Sequence, residues 1–366
     1  MEITNKSFFI VSTILIILII ASIIFSTARA ELSSQETELE ECSVLAYNNE
    51  NSINILFISP NQKEAEEYSN FLFNVEPFKD NKNSFNAFFI NTKPECELYK
   101  KIALFCHNRE TIKKSASCPE VDLIVALGKE KPNIRSSSYL NVMSINTAQN
   151  KNVLVHELGH ALGKLDEEYI TNSRLSASSP NCLNYCSDFE MSDGCYDGCT
   201  KTTFKRSIEE GVMRTLSTSY YGIHNINYLK TVVDKRAGDS IKITGKAVQE
   251  IQNCESEEYI LLKLKNSGNL ALEEKQLLQG CYNGYGNGDL VYDVSAESGI
   301  FTGQLNFNIY TDSHDENLNL EGETFNGEEA YLSVPVGDNL QIKDSEGNLL
   351  LSETLEDAGF RPCLVK

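Results

Sequence analysis

Between His156 and Tyr169 the chain reads HELGHALGKLDEEY, and this run constrains the fold more tightly than any other stretch of the sequence. His156 and His160 stand four positions apart, so on an α-helix both imidazoles project from one face, a turn apart, where they can share one metal ion. Glu157 follows the first histidine, beside that metal position, where a carboxylate can take a proton from bound water. Val153, Leu154, Val155, Leu158, Ala161 and Leu162 supply the buried remainder of such a helix, and Asn150 or Asn152 is suited to cap its start. Two histidines fall short of the three protein ligands usual in a catalytic zinc site. Gly163 lies three positions beyond His160 and is expected to leave the helix in a left-handed conformation, folding the chain back toward the ion. Asp166 and Glu167 then arrive six and seven positions past His160, and either can be the third ligand.

The segments before this motif read as an α/β pattern. INILFIS (Ile53 to Ser59), NAFFINT (Asn86 to Thr92), DLIVALG (Asp122 to Gly128) and YLNVMSI (Tyr139 to Ile145) are short apolar runs of strand type, and Gln62 to Phe73 has helical spacing. Together they predict a mixed sheet carrying the metal-binding helix. If Tyr139 to Ile145 is a sheet-edge strand above the cleft, an extended peptide can pair with it antiparallel.

The motif also carries a resemblance. His-Glu-x-Gly-His-x-x-Gly-x-Leu, followed by an acidic pair and Tyr, resembles the IgA-peptidase family of zinc metallopeptidases, whose motif ends in Asp-Glu-Tyr. The likeness covers roughly Ile53 to Leu229. Aligned on that ending, Glu167 takes the place of the family's Asp, Glu168 of its Glu and Tyr169 of its Tyr; this chain thus departs from the family in having Glu where Asp is expected. The broader metzincin spacing, His-Glu-x-x-His-x-x-Gly-x-x-(His/Asp), instead selects Asp166, which is the ligand favoured here. The resemblance implies a zincin-like catalytic domain and a methionine turn beneath the metal, for which Met213 in EGVMRTLST is the candidate. Glu168, Tyr169, Tyr220, Tyr221 and His224 are candidates for supporting the ligands or an oxyanion.

Around this core the expected organisation is a short flank (1–6), a transmembrane signal-anchor (7–27), an acidic tether (28–52), a zinc metallopeptidase domain (53–233) and an all-β, sandwich-like accessory domain (234–366). The anchor rests on Phe8 to Phe25, an uncharged run long enough to approach the hydrocarbon thickness as a helix. Ala28-Arg29-Ala30 leaves cleavage, and a secreted protein, as the alternative. The accessory domain rests on SIKITGKAVQ (Ser240 to Gln249), YILLKLKN, LVYDV, QLNFNIY, AYLSVPV and LQIKD, with Leu305, Phe307 and Ile309 alternating as one half-buried strand. Its binding partner is unknown.

Eleven cysteines suit an oxidising compartment once an export segment stands in front of them. Cys182, Cys186, Cys195 and Cys199 are expected to form two disulfides, with a four-thiolate zinc site as the rival reading. Asp and Glu outnumber Lys and Arg by 52 to 32, which argues against a nucleic-acid partner because phosphates need cations. The expected function is therefore a single-pass, membrane-anchored zinc metalloendopeptidase with its catalytic domain outside the cytoplasm. Its alternatives are an exported zinc-binding recognition module with a vestigial site, and a zinc amidohydrolase of non-peptide substrates.

Overall fold

Eight strands arise before or just ahead of the metal-binding helix: β1 (Cys42–Ala46), β2 (Ile53–Ser59), β3 (Phe85–Asn91), β4 (Glu97–Tyr99), β5 (Ala103–Phe105), β6 (Leu123–Gly128), β7 (Ser136–Tyr139) and β8 (Val142–Asn146). The structure is a computed structural model that describes residues 39–171, 179–239, 254–284, 288–296, 299–315 and 317–355. The expected anchor lies outside the described residues; among them no helix is long and apolar enough to cross a membrane.

β2, β3, β6 and β8 run parallel, as expected of strands buried on both faces, and every residue of β2 is buried. β1 adds antiparallel to β3, so part of the stretch read as a tether is instead a strand of the sheet, held by the Cys42–Cys118 disulfide. The run read as one strand from Tyr139 to Ile145 turns at Leu140, whose φ is +53°, and becomes the antiparallel pair β7 and β8. β8 lies inside the sheet rather than at its edge.

One face of the sheet is covered by helices. α1 (Gln62–Leu72) on this face starts where the Asn61 side chain accepts from the Glu64 N–H; α2 (Arg109–Ser115), which starts where Asn108 accepts from Thr111, lies instead on the other face, with Ile112 in the core there. α3 (Asn152–Gly163) carries the histidines, and α4 (Ile223–Asp239) packs beside it. Ile55, Phe57, Phe89, Val125 and Met143 share a core with Leu72 of α1, Leu158 of α3 and Leu229 of α4.

The other face is covered by β structure from the C-terminal region, after the small β9 (Tyr196–Cys199) and β10 (Lys201–Arg206) ladder. There β11 (Glu258–Asn266) and β12 (Leu270–Gln279) form a three-stranded sheet with a later strand. β13 (Leu290–Ala296), β14 (Gly299–Leu305), β15 (Asn308–His314), β16 (Leu320–Asn326), β17 (Glu329–Pro335), β18 (Asn339–Lys343) and β19 (Leu349–Thr354) complete the chain. Their orders are β12-β11-β17 and β14-β13-β18-β19. Leu56, Phe88 and Ile124 of the large sheet share a second core with Leu262, Val294, Leu332 and Ile342. An α/β sheet followed by β sheets is thus present, and the candidate strand at residues 240–249 falls outside the described residues.

β15 and β16 leave those small sheets and join the large one, whose order is β1-β3-β2-β6-β8-β7-β15-β16. The run expected as one strand through Leu305, Phe307 and Ile309 therefore breaks: β14 ends at Leu305 and β15 begins at Asn308 on a different sheet.

The ends of α3 also differ from expectation. Lys151 stands at its N-cap, with the Asn150 side chain accepting from the Asn152 N–H just outside, while the Asn152 side chain donates to Leu216 O. At the far end Gly163 stays helical, and the left-handed residue is Lys164, at φ +53°. Gly163 is needed for proximity instead: a Cβ there would lie 2.5 Å from Leu229 Cδ2. Gly163→Ala should consequently cost about 1–3 kcal/mol by overpacking. Lys164→Gly should stay within about 1 kcal/mol of the parent, because relief of left-handed strain offsets the loss of a partly exposed lysine. Chemical denaturation of the two variants checks this, and the opposite ranking would contradict it.

Candidate metal centre

α3 presents His156 and His160 with their free nitrogens converging. His156 Nδ1 lies 2.9 Å from Val212 O, and His160 Nδ1 bonds to Leu165 O. A carbonyl only accepts, so each Nδ1 carries the proton and each Nε2 turns a lone pair toward the same point. The two Nε2 atoms are 3.0 Å apart.

The chain returns to that point through the left-handed Lys164. The N–H groups of Lys164 and Leu165 close the helix on the carbonyls of His160 and Gly159, each at 3.1 Å. Asp166 is then clamped by Asn181, which accepts from its N–H and donates to its carbonyl, both at 2.8 Å. Glu167 O accepts from Thr200 N and Thr200 Oγ1 at 2.8 and 3.0 Å. Thr200 follows Cys199, which is disulfide-bonded to Cys182. With the backbone fixed on both sides, the Glu167 carboxylate lies 3.4 Å from His156 Nε2 and 3.2 Å from His160 Nε2. Of the two carboxylates offered by the sequence, Glu167 and not Asp166 joins the histidines.

A fourth group comes from far along the chain. Asp312, on β15, places Oδ2 at 3.3 Å from His156 Nε2 and 3.9 Å from His160 Nε2. The Tyr169 hydroxyl donates to its other oxygen, and Gly322 on β16 gives that pair room, since a Cβ there would meet both. His156, His160, Glu167 and Asp312 form a buried group, with donor atoms all within 4.8 Å, that can hold a metal ion. A tetrahedral ion with arms of about 2.0–2.1 Å has edges of about 3.3 Å, and the observed separations scatter around that value.

Electrostatics point the same way. Glu157 is fully buried, and neither of its carboxylate oxygens has a hydrogen-bond partner among the described residues; the same holds for both oxygens of Glu167 and for Asp312 Oδ2. Burial first, then the charges of Asp312 and Glu167, hold the Glu157 carboxyl well above its usual range. Acceptors that face only acceptors in a dry site cost several kcal/mol each unless a cation joins them.

Met213 passes under the helix: a Cβ on Gly159 would lie 2.6 Å from Met213 Sδ, and Met213 O accepts from the Glu168 N–H at 2.9 Å. The Tyr310 ring stacks on His160 at 4.1 Å. Tyr169 reaches the group through Asp312, whereas Glu168 turns away to Asn225 and Asn181. Burial drives the Glu168 carboxyl up to about 7, against the pull of those two amides and Arg206. Three candidates do not reach the site. Tyr220 is exposed and bonds to Asp193, Tyr221 donates to Val155 O within the core, and His224 pairs with Pro180 O against Phe189.

Asp312 and Tyr310 are hidden in the sequence: the alternation of Leu305, Phe307 and Ile309 puts Tyr310 on the solvent side of QLNFNIY, and Asp312 lies beyond that run. The four-cysteine cluster is disulfide-bonded as Cys182–Cys199 and Cys186–Cys195, two of five disulfides among the described residues, as expected, which leaves no thiolate there for the rival zinc site. Cys363 lies outside the described residues.

In comparisons with known proteins, no protein-family model matches the chain and no curated protein matches it.

Ligand identity can be tested by competitive chelator titration with Zn2+. Glu167→Ala should weaken binding far more than Asp166→Ala. Tyr169→Phe, which leaves Asp312 without its donor, should weaken it about 10–100-fold. A larger loss from Asp166→Ala would contradict the assignment.

Proposed function

We propose that this chain is a zinc-dependent metallopeptidase, akin to the IgA-peptidase family, with a zincin-like catalytic centre. The observation that carries the reading is Glu157: a buried carboxylate with no hydrogen-bond partner among the described residues, next in sequence to His156 and beside a group of two imidazoles and two carboxylates. A zinc ion held there would polarise a peptide carbonyl and lower the pKa of water toward about 7. His156, His160 and Glu167 would hold the ion. Glu157 takes the proton of the attacking water and delivers it to the leaving amine. Met213 supplies the apolar floor, and the carbonyls of Val212 and Leu165 orient the imidazoles.

A second reading has one observation in its favour. Four protein ligands resemble a structural zinc site, which needs no open position, and this would suit an exported recognition module with a vestigial centre. Glu157 speaks against it, because a sealed structural site has no use for a fifth acceptor whose burial costs several kcal/mol. Peptides are preferred over other amides on the resemblance.

The five disulfides support a body outside the cytoplasm. The apolar run at residues 8–25 supports a single-pass anchor in the cell membrane, with cleavage and secretion as the alternative.

Zinc content and cleavage of an unbiased peptide library, compared between the parent chain and Glu157→Ala, test the reading. One zinc per chain and a loss of about 10²–10⁴-fold in turnover are expected. Equal cleavage by the two proteins would contradict it.

A further inference from the structure

We propose that the β15–β16 hairpin is an internal strap that occupies the peptide-binding rim of this site and seals its metal with Asp312, so that the chain as folded is latent. The inference rests on the peptidase reading and adds its regulation.

Without β15 and β16 the large sheet would end at β7, which runs antiparallel to its neighbour β8 and passes close to α3. A free β7 edge offers the main-chain groups that an extended peptide would use. In the structure that edge is taken. β15 pairs with it antiparallel in the register Ile309 to Tyr139, Tyr310 to Ser138, Thr311 to Ser137 and Asp312 to Ser136.

Strand periodicity then does the rest. Residues two apart share a face, so Tyr310 and Asp312 point together at α3. Tyr310 covers the ring of His160, and Asp312 reaches the shared point of the two imidazoles. Such an occupant enters as a substrate strand would, but offers a carboxylate to the ion where substrate would offer a peptide bond.

Coordination supports the same conclusion. A catalytic zinc site keeps one of its positions for water or substrate, and His156, His160, Glu167 and Asp312 together leave none of four. Access is closed as well: His156, Glu157 and Asp312 are 0% exposed, Glu167 2% and His160 3%. A cavity of about 1120 Å3 lined by residues including Lys93, His107 and Tyr331 contains none of these five.

The strap is fastened at its turn. Leu318 O accepts from Leu216 N and Thr215 Oγ1 at 2.8 and 2.9 Å, and Leu320 N donates to Arg214 O at 3.3 Å, on the segment that follows Met213. Tyr169 holds Asp312 at its centre. Its outer strand, β16, is a sheet edge bearing Glu321 and Glu323, and the hairpin's ladder to the large sheet is with β7 alone, so release breaks that ladder, the contacts of its turn and the burial of Ile309 and Leu320 while the pairing among β2, β3, β6 and β8 stays intact.

The test uses the full chain loaded with Co2+, whose visible spectrum reports coordination, with acetohydroxamate as the probe of an open position. The parent should hold one ion and show no spectral response to the probe. Asp312→Asn, which keeps the shape and an acceptor for Tyr169, and Asp312→Ala should both retain the ion and respond. In their zinc forms they should cleave the peptide library at least about tenfold faster than the parent, as expected if the strap is open less than about a tenth of the time. A parent that binds the probe as readily as the variants would overturn the strap. So would loss of the ion from both variants, which would make Asp312 a permanent structural ligand. Variants that bind the probe but cleave nothing, or cleave equally when Glu157→Ala is added, would uphold the seal and reject the peptidase.

Discussion

The structure turns on a shortage of donors. Two imidazoles with their protons committed elsewhere, and three carboxylates from Glu157, Glu167 and Asp312, meet in a space closed to water. Apart from the Tyr169 hydroxyl, every group aimed inward is an acceptor or becomes one by losing a proton. In a medium of low polarity this arrangement is unstable by itself, and a divalent cation is the simplest group that converts mutual repulsion into bonding. The surrounding features, from the helix end at Lys164 to the bend at Met213, make sense as means of holding acceptors in place against one another.

Holding them requires distant parts of the chain. The histidines come from α3, wedged between the sheet and α4. Glu167 depends on a loop pinned through Thr200 and the Cys182–Cys199 disulfide, so the cysteines next to the motif serve the site although they do not bind the metal. Asp312 depends on β15, which reaches the sheet only because the C-terminal β structure packs on its opposite face. The C-terminal region is therefore part of the site's construction, and its strands supply both a core and a ligand.

How much of this is legible in the sequence follows from the range of each signal. His156, Glu157 and His160 are readable because the helical period fixes their geometry within one turn. The parallel strands are readable because burial on both faces leaves continuous apolar runs such as INILFIS. Choosing Glu167 over Asp166 lies beyond that range: one residue of phase after a left-handed turn decides it, and the turn sits at Lys164 rather than at the glycine. Asp312 is harder still, since a polar residue in an alternating strand looks like the solvent side until the partner sheet is known. Tyr220, Tyr221 and His224 show the converse error, in which proximity in sequence to Met213 does not bring a side chain to the metal.

The central claim is a centre made of two imidazoles and two carboxylates. X-ray absorption at the zinc edge, on the full-length chain loaded with one equivalent of Zn2+, measures it most directly. A first shell of four nitrogen and oxygen atoms at about 2.0–2.1 Å is expected, with outer-shell scattering from two imidazole rings. Sulfur neighbours at about 2.3 Å, or scattering from fewer than two rings, would contradict it.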